Sequence, residues 1–118
     1  MDITIKFKSN DPIAIIEADE ILINSAQDAL DLIASIYYEH SCSHAIINKN
    51  NICEEFFDLK TGVAGEILQK LSNYNFYFAI IGDFSHYNSK ALNDFIYESN
   101  KSSTVNFLDS IKTALAKE

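Results

Sequence analysis

The sequence predicts an α/β fold, a single domain on a mixed, mostly parallel sheet with elements in the order β-β-α-β-α-β-α-β-α. Three observations carry that expectation. Short β-branched and aromatic runs alternate with segments whose apolar residues recur at three and four. The turn-rich break Ser9-Asn10-Asp11-Pro12 joins the first two runs as a hairpin. At 118 residues the chain has material for one core, because two would each be too small to offset the entropy of ordering. Alternating strands and helices after a hairpin demand parallel pairing through right-handed crossovers. No repeat, linker or second domain interrupts residues 1–118.

Met1 to Lys8 alternates, with Ile3, Ile5 and Phe7 on one side and Thr4, Lys6 and Lys8 on the other, the pattern of a half-buried edge strand. Ile13-Ala14-Ile15-Ile16 is its hairpin partner, and Ile21-Leu22-Ile23 follows the acidic break at Asp19-Glu20. Asn24 or Ser25 caps a first helix whose core face is expected to hold Ala26, Ala29, Leu30, Ile33, Ala34 and Tyr37. Ala45-Ile46-Ile47 is short, apolar and bounded by polar clusters, as a buried central strand requires. Leu59, Val63, Ile67 and Leu71 form the stripe of a second helix ending near Asn73. Phe76 to Ile81, stopped by Gly82-Asp83, is the strongest strand. Ser89 caps a third helix with Leu92, Phe95 and Ile96 inward, Thr104 to Leu108 is the last strand, and Asp109 or Ser110 caps a closing helix through Ile111 and Leu115.

Composition excludes several functions. A net charge of −8, with all nine basic residues lysine, argues against nucleic acid and anionic membrane, which need clustered cations and, for bidentate recognition, arginine. No apolar run approaches the roughly 18 residues that span a bilayer. Two cysteines make no secreted disulfide framework and no signal-like segment opens the chain, so a soluble cytoplasmic protein with reduced thiols is expected. No motif calls for a cofactor; in particular, the phosphate-binding Gly-x-x-x-x-Gly-Lys-Ser/Thr pattern is absent.

The segment Cys53 to Glu66 is the anomaly. Gly62 and Gly65 interrupt the front of the second helical pattern, where each costs about 1 kcal/mol relative to alanine, so something there should need bare backbone. Free N–H groups and the helix dipole near Thr61-Gly62 favour an anion, including a phosphate carried on Thr61, whereas close packing against a strand or a partner is the structural alternative. Because loops leaving the carboxyl ends of parallel strands share one rim, Cys53–Thr61 and Gly82–Ser89 should be neighbours there.

Other constellations carry weaker chemistry. His40-Ser41-Cys42-Ser43-His44 would place alternate side chains together on an extended backbone, and Cys53 could complete a zinc-type set, although the spacing matches no standard motif. Cys53 and His86 could pair as nucleophile and base with Asp83 behind them, and Asp58, Glu66 and Asp83 could form a carboxylate cluster, with helix capping the ordinary role of Asp58. The many amphipathic aromatics, among them Tyr37, Tyr38, Tyr74, Tyr77, Tyr87 and Tyr97, exceed what a small core holds, and the surplus should form an interaction surface.

Across nearly the whole chain, Asp28-Ala29-Leu30-Asp31-Leu32-Ile33, Phe56 to Lys70, Ser72-Asn73-Tyr74, Gly82-Asp83-Phe84 and Phe95-Ile96-Tyr97-Glu98-Ser99-Asn100 resemble a small bacterial family, domain of unknown function 4180 (DUF4180). That resemblance implies no activity. Its pattern has arginine where this chain has His86 and Asn93, and glycine at Ser102, which lowers positive charge near the rim. The element order also resembles the STAS fold of anti-sigma-factor antagonists, in which an Asp-Ser-Ser-Gly segment starts the helix after the third strand. Asp58-Leu59-Lys60-Thr61-Gly62 stands in the comparable place, which implies a STAS-like domain phosphorylatable at Thr61. The expected function is non-enzymatic and regulatory: a protein partner, or a second copy of the chain, binds Glu54, Glu55, Asp58, Thr61, Gly62 and Tyr87. The alternative is a small-molecule or metal-dependent enzyme using Asp58, Asp83, Cys53 and His86.

Overall fold

The computed structural model describes residues 1–101 and 104–116, so Ser102 lies outside the described residues. Its elements are β1 (Asp2–Lys8), β2 (Asp11–Glu17), α1 (Ala26–His40), β3 (His44–Asn48), α2 (Val63–Asn73), β4 (Tyr77–Ile81), α3 (Lys90–Ser99), β5 (Val105–Leu108) and α4 (Ile111–Ala116). Between β3 and α2 the chain makes three short 3-10 turns, Lys49–Asn51, Glu54–Phe57 and Leu59–Thr61. The predicted α/β order is the observed one. Among the described residues no helix is long and apolar enough to cross a membrane.

The five strands lie in the order β1-β2-β3-β4-β5, the first pair antiparallel and the rest parallel. Ser9 and Asn10, both at positive φ, form the two-residue turn that closes Lys8 on Asp11, as the right-handed twist of a hairpin requires. Because each right-handed crossover steps the same way, α1, α2 and α3 all fall on one face of the sheet. There Ile16, Ile33, Ile47, Ile67, Phe78 and Leu92 belong to the main core. The opposite face carries a smaller cluster, Ile13, Ile15 and Ile46 with Ala114 of α4. Strand order never reverses, so the sheet has no switch point at which a crevice would open beyond its carboxyl ends.

Tertiary contacts revise two local expectations. The buried face of α1 is Ala29, Leu32, Ile33 and Ile36, leaving Ala34 and Tyr37 in solvent. Ile21-Leu22-Ile23, which the predicted element order leaves out, makes one isolated bridge, Ile23 to Ile52. The stripe beginning at Leu59 is helical only from Val63, because Gly62 at φ 79° separates α2 from the turn before it. The two candidate caps of α1 divide the work: Ser25 Oγ accepts from Asp28 N, while the Asp28 carboxylate accepts from Asn24 N. The outer edge of β5 is closed at Phe107, whose N–H donates to the Asn100 side-chain oxygen and whose carbonyl accepts from the same amide.

Candidate functional site

The rim at the carboxyl ends of β3 and β4 is built on aromatic packing. In the Glu54–Phe57 turn, apolar side chains two residues beyond the acids point inward: Phe56 and Phe57 are buried, while Glu54 and Glu55 stay in solvent. Phe57 stacks on Tyr87 with ring centroids 5.3 Å apart and lies 6.1 Å from Phe84, which draws the Gly82–Ser89 loop onto the turn. The Tyr87 hydroxyl donates to the Glu54 carboxylate at 3.1 and 3.2 Å. Lys49 completes the junction: its ammonium donates to the Asp83 carbonyl and lies within 6 Å of the Phe84 and Tyr87 ring centres. Gly82, at φ 153°, leaves space for the Lys49 stem, since a Cβ there would sit 2.7 Å from Lys49 Cγ. The two segments are neighbours, as the shared rim requires.

Thr61 is the knot of this surface. Its single hydroxyl proton is shared between the Glu55 and Asp58 carbonyls at 2.7 and 2.8 Å, and its oxygen accepts from Val63 N at 3.3 Å. Asp58 caps the short turn before α2, accepting from Lys60 N at 3.3 Å, rather than capping α2 itself. Glu54, Glu55, Asp58, Thr61 and Gly62 are exposed on one continuous stretch, and Tyr87 joins them through Glu54.

Gly65 behaves differently from its neighbours. It has ordinary helical geometry, is exposed, and a Cβ built on it meets nothing within 4 Å, so close packing within the chain does not account for it. Gly65→Ala is expected to stabilise the isolated protein by about 0.5–1 kcal/mol, measured by urea unfolding. A loss of stability would mean that the bare backbone serves the fold after all.

Burial raises the Tyr87 pKa to about 12, helped by the Glu54 charge and by the hydrogen bond to it. Folding therefore favours the protonated phenol, and that contribution is complete below the ordinary pKa of 10 and is lost as pH rises toward 12. Phenolate absorbance should show one of the six tyrosines titrating near 12, absent in Tyr87→Phe, and the variant's stability should fall less steeply above pH 10. Identical slopes would refute the assignment.

The remaining predicted clusters do not assemble. Ser41 adopts a left-handed conformation, φ 56°, so the His40–His44 stretch is not extended and its side chains do not alternate. Cys42 enters the main core with its thiol 3.5 Å from the His40 carbonyl, whereas His44 lies on the opposite sheet face, stacked on Tyr77. Cys53 is buried near Phe56, and its backbone N–H donates to Ile23 O at 2.9 Å. Among the described residues, no three His, Cys, Asp or Glu side chains converge as a metal would need, which removes the set His40, Cys42, His44 and Cys53. His86 is exposed against Tyr87, and the Asp83 carboxylate is held below its usual pKa by hydrogen bonding first to the Ser85 side chain and then to Ser85 N. No hydrogen bond among the described residues joins Cys53, His86 and Asp83 into a nucleophile–base–orienter chain.

Sequence reasoning missed Lys49 and Asn51. Asn51 is buried, and its amide donates to the carbonyls of Ala18 and Glu20 at 2.9 and 2.8 Å. Nothing local in Asn48-Lys49-Asn50-Asn51 separates it from ordinary turn residues. Of the surplus aromatics, Tyr37, Tyr38, Tyr74 and Tyr97 are exposed, away from the rim loops.

A family model described as "Domain of unknown function (DUF4180)" matches residues 8–117. No curated protein sequence matches the chain significantly. Among solved structures, the chain is similar to the crystal structure of a putative anti-sigma factor antagonist from Thermotoga maritima, with 13% identity, 96% of this chain and 91% of that chain covered, and a TM-score of 0.43.

Proposed function

The chain belongs to the DUF4180 family, a domain of unknown function, and from that premise we propose that it is a non-enzymatic regulatory interaction domain whose rim binds a protein partner. The reading rests above all on Gly65. A helical glycine in open space weakens the free protein without serving its packing, and it is accounted for when a second chain's backbone approaches the first turn of α2. The exposed acids Glu54, Glu55 and Asp58 beside it suit a basic partner, and the bonds of Thr61 and Tyr87 hold them in place before contact, which lowers the ordering cost of binding.

Phosphorylation of Thr61 is part of the proposal, with a definite consequence. An esterified oxygen has no proton to donate, so both carbonyl bonds are lost, and the added charge lies among Glu55, Asp58 and Glu66. Modification would therefore loosen the acidic turns and release the partner. A cytoplasmic location is part of the same proposal and is supported by the two free thiols, which a reducing compartment preserves.

Affinity capture from the native host with quantitative mass spectrometry tests the reading. A protein held by the wild type should be lost by Glu55→Lys/Asp58→Lys and Thr61→Glu, and weakened by Gly65→Ala despite that variant's added stability. Equal retention by all four proteins would defeat the rim as the contact surface; a second copy of the chain as partner would appear as concentration-dependent dimerisation with the same variant ranking.

A further inference from the structure

The second face of the sheet holds a feature that rim binding does not use. The six residues of α4 cover only the part of that face nearest the rim, where Ile111, Ala114 and Leu115 meet Ile81 and Leu108. The amino-end half, from the hairpin turn to Asn100, Lys101 and Thr104, is a groove of about 900 Å³, within the usual range for small-molecule sites. Ile13, Ile46 and Ala79 form an apolar floor, and the first two are buried although they line it.

On this floor His44 and Tyr77 stand as paired plates. They are register partners on adjacent parallel strands, with ring centroids 4.8 Å apart and planes 22° from parallel. At one wall Lys8 and Asp11, the closing pair of the hairpin, bring a cation and an anion side by side. Both act on the His44 imidazole, yet among the described residues they form no ion pair with each other. The far wall is different: Lys101 is already paired with Glu98 at 3.6 Å and lies over the Tyr97 ring. Burial lowers the pKa of His44, which leaves Lys8 and Asp11 as the charges presented at the hairpin wall near neutral pH.

An apolar floor with flat rings beside one charge of each sign selects a particular ligand chemistry. A plain anion would meet Asp11, a plain cation would meet Lys8, and an uncharged ring would leave both without partners. We propose that this groove binds a small zwitterion carrying a planar ring, the chemistry of an aromatic amino acid, with its ammonium on Asp11, its carboxylate on Lys8 and its ring over the apolar floor against Tyr77. The site is separate from the rim and stands independently of partner binding there.

The chain contains no tryptophan, so the indole of an added ligand can be read alone. The full chain is titrated against L-tryptophan, tryptamine, indole-3-propionate and indole, with amide chemical shifts locating the bound molecule. Saturable binding of tryptophan is expected, weakened about tenfold or more in either singly charged analogue and in Lys8→Ala or Asp11→Ala, both surface changes that leave the core intact. Shifts should centre on His44, Tyr77 and Ala79. Failure to saturate by millimolar tryptophan, equal affinity for indole, or shifts centred on the rim would each overturn the assignment.

Discussion

Phe56→Ala is expected to cost about 3–5 kcal/mol, a large share of the stability of a domain this size. Phe56 is 1% exposed and packs its ring against Phe57 at 5.0 Å and Phe107 at 6.3 Å, so one side chain ties the loop after β3 to β5. Beside it lies an apolar void of about 10 Å³ bordered by Ile67, Phe78 and Ile80, too small to hold more than one water. Truncation would enlarge that void with no polar group to hydrate it, which places the cost toward the upper end of its range. Urea unfolding measures it, and Phe56→Leu should recover more than half of the loss. A cost below about 1 kcal/mol would show that the turns collapse freely into the gap.

Asn51→Ala should destabilise by about 2–3 kcal/mol, as two hydrogen bonds vanish and two carbonyls in the β2–α1 connection lose their donor. The effect spreads because the Asn51 carbonyl also accepts from Leu22 and Ile23 N–H, and Cys53 N donates back to Ile23 O, so residues 18–24 are held in place by residues 51–53. Asn51→Asp should be worse than alanine near neutral pH, since it aims an acceptor at two acceptors in a buried site. Faster amide exchange at Leu22, Ile23 and Cys53 in both variants would separate loss of this staple from general unfolding, which would speed exchange in β4 equally.

Both positions brace the surface proposed for partner binding. Phe56 anchors the turn that displays Glu54 and Glu55, and Asn51 anchors the stretch just before it. Glu55 is solvated, so charge reversal there tests binding with a small effect on folding, whereas Asp58→Lys also removes the cap on the turn before α2.

The sequence alone determined the order and type of nearly every element, because strand and helix periodicities, Ser25 and Ser89 as caps and the Ser9-Asn10 turn act within a few residues of one another. It also marked Cys53 to Glu66 as unusual, since glycine and charge within an apolar pattern are visible without coordinates. The tertiary structure decided what depends on segments far apart in the chain. It turned Ile36 inward and Tyr37 outward on α1, because the buried face is set by where the helix rests on the sheet, and the 3.6 period fits several adjoining stripes. It ended α1 with one left-handed residue at Ser41, a backbone choice that serine does not announce, and it took Cys42 into the main core while His44 stacks on Tyr77 across the sheet. It brought Tyr87 to Glu54 and Asn51 to Ala18 and Glu20, pairings some thirty residues apart. The steady winding of β1 to β5 placed three helices on one face and left the other half covered, and only that winding opens the groove at His44 and Tyr77.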